Sequence, residues 1–147
     1  MKKVLTALII CFFGLGFTLQ AGERERAITF GKLPMKAQNF ITDNFSKDQV
    51  LLITEETEFL DKEFKVMLEN GISLKFESDG AWKKVENKLT AVPESLIPSE
   101  IRSYVDQKFP KADVREIQRK KRGWEIELMN GISLEFDKFF NLTDYDD

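Results

Sequence analysis

A five-residue sequence that occurs twice constrains this chain more than any other feature. Asn-Gly-Ile-Ser-Leu occupies residues 70–74 and again residues 130–134, each time between two runs in which apolar and polar residues alternate. Asn-Gly between alternating runs is the strongest short-range signal for a β-hairpin, because a type I′ turn needs positive φ at both central positions. The sequence therefore predicts two copies of one hairpin-bearing unit, with structural turns at Asn70, Gly71, Asn130 and Gly131.

A helix pattern precedes each predicted hairpin. After Pro34 the apolar residues follow the i, i+3, i+4, i+8 spacing of one helical stripe, at Ala37, Phe40, Ile41 and Phe45. After Pro98 the same spacing returns, at Ile101, Tyr104, Val105 and Phe109. The two prolines are 64 residues apart and the two turn glycines are 60 apart, so the first copy carries four extra residues, which we place in a loop around residues 55–62.

These patterns predict an α+β fold made of two tandem repeats. Each repeat is one helix followed by an antiparallel sheet of about four strands, with the sheets joined into one curved sheet and the helices on one face. The predicted boundaries are repeat 1 over residues 33–86, a linker over 87–96 and repeat 2 over 97–147. Residues 22–32 are predicted to be a charged N-terminal arm.

The first 21 residues have the organisation of a secretory signal peptide. Met1-Lys2-Lys3 is followed by an uncharged apolar run from Val4 to Leu19 and then by small Ala21, ahead of a charged sequence. The run falls short of the roughly 20 apolar residues that a spanning helix needs, although an uncleaved membrane anchor is the rival interpretation. We expect cleavage after Ala21 and a periplasmic or secreted protein with no membrane span after signal cleavage.

The composition excludes several kinds of chemistry. The chain has no histidine, so Ser-His and Cys-His nucleophilic machinery and His-ligated metal sites are closed off. Its one cysteine, Cys11, is read as an apolar residue of the signal, or alternatively as a lipidated cysteine, against which the bulky Ile10 argues. After residue 21, 25 acidic residues face 20 basic ones, a net charge of −5 that argues against a nucleic-acid partner.

The region from residue 33 to residue 142 resembles the exported PepSY-like family of Bacteroidetes, also called beta-lactamase-inhibitor-like. The resemblance rests on the helix starts Leu33-Pro34 and Ile97-Pro98 and on the Gly-Ile-Ser-Leu-x-Phe hairpins that begin at Gly71 and Gly131. It implies the layout of the beta-lactamase inhibitory protein, a tandem-repeat sheet that offers its open face, and a role in inhibition or chaperoning. No inhibitory residue is matched position by position, and that inhibitor's disulfides have no counterpart after residue 21.

The open sheet face supplies one set of candidate site residues. By alternation, the first copy presents Lys65, Met67, Glu69, Ser73, Lys75 and Glu77 there. The second copy presents Met129 and Ser133 together with four carboxylates, Glu125, Glu127, Glu135 and Asp137. Like charges opposite one another are unfavourable, so this acidic face invites a cation or a basic partner. The competing interpretation is an ordinary solvated sheet face.

Aromatic residues outside the alternating pattern supply the second set. Phe139 and Phe140 stand where the first copy has Asp79-Gly80, and Trp82 alternates with Lys83 in a short strand interpreted as an edge strand. Exposed aromatics mark protein contacts, so Trp82, Phe139 and Phe140 are candidate partner-binding residues together with Met67 and Met129. The competing interpretation packs these aromatics under the C-terminal tail and the linker.

Two functions follow from these candidates. The leading hypothesis is a non-catalytic exported protein-binding module that inhibits or chaperones another envelope or secreted protein, an enzyme or a sensor. The alternative is a periplasmic small-ligand or cation-binding protein that uses the acidic face of repeat 2. Neither an enzyme activity nor a cofactor nor a dedicated metal site is predicted, and the oligomeric state is left open.

Overall fold

The structure, a computed structural model, describes residues 23–147; the predicted signal peptide, its cleavage site and Cys11 lie outside the described residues. Within that range nine strands form one antiparallel sheet whose spatial order follows the chain. The strands are β1 Glu23–Ala27, β2 Val50–Glu58, β3 Asp61–Leu68, β4 Ile72–Glu77, β5 Trp82–Asn87, β6 Val114–Lys120, β7 Gly123–Leu128, β8 Ser133–Asp137 and β9 Leu142–Asp146. The helices are α1 Met35–Asn44 and α2 Ser99–Lys108, and 3-10 turns occupy Phe30–Lys32, Lys47–Gln49 and Glu94–Leu96.

The prediction of an α+β fold made of two helix-plus-sheet repeats is wrong. Nine strands and two ten-residue helices in residues 23–147 make the fold mostly β, and all strands belong to one sheet. The two halves are joined by β5 and β6, which pair in register at Val85 and Ile117. Both of these side chains are fully buried, so the core continues across the join. The sequence argument expected the sheets to be joined, but it took a helix-plus-sheet repeat as the structural unit, whereas that unit is the continuous nine-stranded sheet.

The core and both helices lie on one face of the sheet. Ala37 and Ile41 of α1, and Ile101 and Val105 of α2, are completely buried against alternate residues of the strands. Each isoleucine or valine buried in this way stabilises the fold by roughly 1.5–3 kcal/mol relative to exposure. Ten-residue helices are marginal in water, so the sheet rather than helix propensity holds α1 and α2 in place.

Both Asn-Gly turns form where the sequence predicts them, with a different geometry. Positive φ is confined to Gly71 (82°) and Gly131 (91°), and each glycine N–H donates to the carbonyl three residues earlier. The predicted type I′ geometry is wrong, since it needs positive φ at the asparagine as well. These are type I turns followed by a left-handed glycine, and the Asn70 and Asn130 side chains accept the backbone N–H two residues further on.

The segment predicted as an N-terminal arm contributes a strand. β1 pairs with β2 from Glu23↔Glu58 to Ala27↔Thr54. Its residues 24–27 are all exposed, so the sequence carries no apolar alternation there to predict a strand. Arg26 Nη2 lies 2.9 Å from Oε1 of Glu55, whose side chain is only 11% exposed. Charged edge strands of this kind resist pairing with other chains.

The four extra residues of the first half lengthen a hairpin and do not form a loop. β2 and β3 pair as far as Glu58↔Asp61, whereas β3 and β4 pair only as far as Glu63↔Glu77. The β2–β3 hairpin therefore extends two residue pairs, about 7 Å, beyond the end of β4. No loop separates the two strands beyond the residues of the turn itself.

Candidate functional site

Trp82 lies inside the sheet and not at its edge, because β5 pairs with both β4 and β6. A register shift beside Phe76 places Trp82 opposite that residue and turns its ring to the helix side. The ring stacks on Phe40 of α1, with ring centroids 5.6 Å apart. Lys83, displaced by the same shift, forms a salt bridge with Glu63 of β3. The sequence interpretation of an edge strand is therefore wrong, and Trp82 is half-buried.

The ring of Trp82 continues into an aromatic cluster formed by Phe40, Trp82, Trp124 and Phe140. The centroids of Trp82 and Trp124 are 6.0 Å apart, and Trp124 stacks on Phe140 at 6.3 Å. The Arg119 guanidinium lies 5.3 Å from the Trp82 centroid and 6.0 Å from that of Trp124, and its Nη1 donates to the Trp82 carbonyl at 3.3 Å. Such cation–π contacts contribute about 0.5–1 kcal/mol at exposed sites. Arg119 thus covers the ring of Trp82, which the sequence offered as a contact residue, together with that of Trp124.

The β8–β9 turn directs the side chains of Phe139 and Phe140 to different surroundings. The Phe140 N–H donates to the Asp137 carbonyl, and Phe140 has a φ of 65°. In the β4–β5 turn the same position belongs to Gly80, with a φ of 87° and the corresponding bond to Glu77. Phe140 therefore takes a left-handed position that favours glycine, while its ring packs on Trp124. Phe139 points away and is 70% exposed.

Asp137 organises this turn and does not belong to an open acidic surface. Its Oδ1 accepts the backbone N–H groups of Phe139 (2.8 Å) and Asn141 (2.9 Å), and its Oδ2 accepts the Asn141 amide at 3.0 Å. The Asn141 hydrogen bonds, ahead of that from Phe139, hold the pKa of this carboxyl below its usual range. Asx-type bonding explains how a Lys-Phe-Phe sequence forms a tight turn.

The remaining carboxylates of the acidic face do not converge. Glu125 forms a salt bridge with Lys120, and this hydrogen bond raises the pKa of the lysine. Glu127 Oε1 lies 2.9 Å from Arg115 Nη2. Glu135 is exposed and has no salt bridge to any residue in the described range. No group of three acidic or cysteine side chains in residues 23–147 is placed to hold a metal ion.

The two methionines lie at separate places on the sheet. Met67 of β3 is 44% exposed and sits between Leu52 of β2 and Ser73 of β4 on the face opposite the helices. Met129 follows β7 and is 40% exposed, and its N–H donates to the Asp113 carbonyl at 2.9 Å. The structure therefore brings Trp82 and Phe140 together through Trp124 and leaves Phe139 outside that cluster.

Sequence reasoning missed the most exposed apolar side chains of the protein's described part. Phe59 and Leu60 form the tip of the extended β2–β3 hairpin and are 79% and 99% exposed. We call this pair the hairpin tip. Phe59 has a φ of 53°, a backbone conformation that a bulky residue rarely adopts. The signal in the sequence was a Phe-Leu pair inside a segment, from Glu55 to Glu63, in which five of the other seven residues are acidic.

Comparison with known proteins places this architecture in a family. The model of the family described as putative beta-lactamase-inhibitor-like, PepSY-like, matches residues 20–80 and again residues 62–144. No match is found among curated proteins. Among residues 23–147, no helix has both the length and the apolar character that crossing a bilayer requires.

Solved structures from Bacteroides share the fold. A putative calcium-regulated periplasmic protein from Bacteroides thetaiotaomicron is 38% identical, with a TM-score of 0.80 over 84% of this chain and 97% of that one. A putative periplasmic protein of the DUF2874 family from Bacteroides vulgatus ATCC 8482 is 36% identical, with a TM-score of 0.78 over the same shares of the two chains. A putative periplasmic protein of unknown function from that organism is 31% identical, with a TM-score of 0.78 over 86% and 100%. The chain belongs to the PepSY-like, beta-lactamase-inhibitor-like family.

Proposed function

We propose that this chain is a non-catalytic exported protein that binds another envelope or secreted protein through its hairpin tip, and so inhibits or chaperones it. The observation that carries the proposal is the presentation of Phe59 and Leu60, 79% and 99% exposed, at the end of a hairpin that projects beyond the sheet. Export through a cleaved signal at residues 1–21 belongs to the same proposal, and the periplasmic relatives support it.

The tip is a costly arrangement for a monomer that binds nothing. A non-glycine residue in the left-handed region costs roughly 1–2 kcal/mol, and Phe59 occupies that region at a φ of 53° without gaining burial. Burying two such side chains in a partner provides roughly 1.5–3 kcal/mol each. Because each 1.4 kcal/mol is tenfold in affinity, the tip alone supplies about 100-fold to 10,000-fold.

The flanks of the tip indicate the chemistry of the partner. Glu56, Glu58 and Asp61 lie around Phe59 without a salt bridge in the described range, whereas Lys62 and Glu63 of the same hairpin are paired with Glu55 and Lys83. A complementary surface has an apolar recess for the two tip side chains and basic residues around its rim. Rim charges of this kind accelerate association more than they add affinity, so binding is expected to weaken as salt rises.

Affinity capture from an envelope extract tests the tip directly. The mature chain is expected to retain a partner that a Phe59→Ser/Leu60→Ser variant loses, with a loss of about 100-fold in affinity once the partner is purified. Leu89→Ser is the matched control, since Leu89 is also exposed (74%) but follows β5 at the opposite end of the sheet. If the tip variant and the wild type retain the same proteins equally well, the hairpin tip is not the contact.

The alternative, cation binding on the acidic face, has less support. One relative is described as calcium-regulated, but Glu125 and Glu127 of this chain are already paired with Lys120 and Arg115. A ligand that binds the folded state raises the melting temperature by mass action. A site with a dissociation constant of about 1 μM would be saturated by about 100 μM calcium. We expect calcium at that concentration to leave the melting temperature unchanged. A calcium-dependent rise that Glu125→Gln/Glu127→Gln abolishes would establish the alternative instead.

A further inference from the structure

The sheet face opposite the helices, here called the open face, carries charges sorted by strand. Cross-strand pairing places one residue from each of seven neighbouring strands in a single row: Lys65, Lys75, Lys84, Gln118, Glu125, Glu135 and Asp144. We call this the charged row. Three lysines on β3, β4 and β5 thus stand on one side of Gln118, and three carboxylates on β7, β8 and β9 stand on the other.

The charged row is its own complement under a two-fold rotation. An axis parallel to β6, lying between two open faces, places β5 over β7, β4 over β8 and β3 over β9 of a second copy. Lys75 then faces Glu135, Lys65 faces Asp144 and Lys84 faces Glu125, while Gln118 faces itself. We propose that the open face is a self-association surface, on which two copies of this chain pack face to face as an isologous dimer.

The charges that this dimer would pair are the ones left over within the chain. Lys65 and Lys75 form no salt bridge with any residue in the described range, and the same is true of Glu135 and Asp144. Lys84 and Glu125, nearer the axis, are neutralised within the chain by Glu116 and Lys120. Three lysines opposite one another on adjacent strands are unfavourable in an isolated sheet. Four intermolecular ion pairs per dimer relieve this repulsion.

The geometry selects this two-fold axis over the other one that lies in the sheet plane. An axis along the charged row would place each lysine over the same lysine of its partner. An axis parallel to the strands avoids that and keeps the twist of the two sheets in phase, so the strands stay aligned across the contact. In the flanking rows Glu63, Glu86, Glu116 and Glu127 lie near Lys83, Lys88, Lys84 and Arg115 of their own chain, which offset their charge.

The area buried in the contact and the salt dependence of its ion pairs set the expected affinity of the dimer. Seven strands span about 29 Å at about 4.8 Å per strand, so a contact on the central rows buries roughly 1,000 Å² in total. That is the lower end of specific interfaces, and exposed ion pairs contribute little individually. We therefore expect a dimer with a dissociation constant of micromolar order at about 50 mM salt, weakened at least about tenfold at about 500 mM salt.

A charge-swap experiment on the mature chain tests the proposal by sedimentation velocity. Lys65→Glu/Lys75→Glu and Glu135→Lys/Asp144→Lys are each expected to be monomeric, because each puts like charges in register. A mixture of the two is expected to form a heterodimer, since every reversed position then faces its opposite. The quadruple variant is expected to regain homodimers. Melting temperatures equal to that of the wild type, measured at concentrations where all of the proteins are monomeric, show that these surface substitutions leave the fold intact.

The competing outcomes are distinct. A wild-type chain that stays monomeric up to about 1 mM at about 50 mM salt overturns the proposal. So does either double variant, taken alone, that forms homodimers as tightly as the wild type. Equal weakening in the mixture and in the separate variants shows nonspecific charge effects and also overturns it. The hairpin-tip variant Phe59→Ser/Leu60→Ser is expected to dimerise like the wild type, because Phe59 and Leu60 lie outside the charged row.

Discussion

Replacing Gly123 by alanine is expected to lower the free energy of unfolding by about 3 kcal/mol, the upper end of the usual cost of overpacking. Gly123 begins β7 and lies opposite Asp137 of β8. A Cβ at this position would stand 1.8 Å from the Phe136 carbonyl oxygen and 2.9 Å from the Asp137 carbonyl carbon. Both are backbone atoms, so rotation of a side chain cannot relieve the contact, and the strands must separate locally. Urea denaturation followed by circular dichroism measures the loss.

Two other glycines serve as matched controls for Gly123→Ala. A Cβ at Gly131 meets nothing within 4 Å, but φ is 91°, so Gly131→Ala is expected to cost about 1 kcal/mol from backbone strain alone. A Cβ at Gly31 also meets nothing and the backbone there is not left-handed, so Gly31→Ala is expected to be neutral or stabilising by about 0.4–1 kcal/mol. If the three variants lose similar stability, backbone contact at Gly123 is not the determinant.

Local elements of this fold could be predicted from the sequence, since short-range patterns encode them. The i, i+3, i+4, i+8 stripe placed α1 and α2 correctly, because Ile41 and Val105 must be buried on one side of a helix. The Asn-Gly pairs located two turns correctly although the turn type differed. Period-two alternation likewise predicted β3 and β7 and assigned the side chains of Phe64 and Ile126 to the buried face of the sheet.

The fold class and β1 could not be obtained from those patterns. A joined sheet was expected, but the β5–β6 pairing that joins it links residues about 30 positions apart, which no local pattern connects. β1 is held by pairing to β2 and by Arg26 and Glu55, so it shows no apolar face. The one-residue register shift that turns Trp82 inward is a bulge, which likewise leaves no mark on an alternating sequence.

The candidate site illustrates the same limit at the level of side chains. Their positions outside the alternating pattern identified Trp82, Phe139 and Phe140 as unusual, but only the structure shows that Arg119 covers Trp82 while Phe139 remains exposed. The acidic face follows from alternation, yet its pairing with Arg115 depends on a bulge in β6. The charged row depends on the registers of six strand pairs at once, so it becomes visible only when the sheet is known.

Replacing Phe76 by alanine is expected to lower the free energy of unfolding by about 3–5 kcal/mol. Phe76 is fully buried in β4, meets Phe40 of α1 edge-on at 5.6 Å, and lies between Phe64 and Trp82 in neighbouring strands. Such a loss is a large part of the 5–15 kcal/mol that stabilises a typical domain, and it should lower the melting temperature by about 10 °C or more. Thermal and urea unfolding measure it.

The same variant tests whether the continuous sheet unfolds as one unit. Trp82 lies in β5 and Trp124 in β7, on opposite sides of the join between β5 and β6. Trp124→Phe leaves Trp82 as the only tryptophan, and Trp82→Phe leaves Trp124, so each variant reports on one half by fluorescence. Because Val85 and Ile117 carry the core across the join, the two transitions should coincide, and Phe76→Ala should destabilise both. Phe139→Ala, at an exposed turn, is the control and should change stability by less than about 0.5 kcal/mol. Separate transitions at the two tryptophans would show that the halves unfold independently despite sharing a sheet.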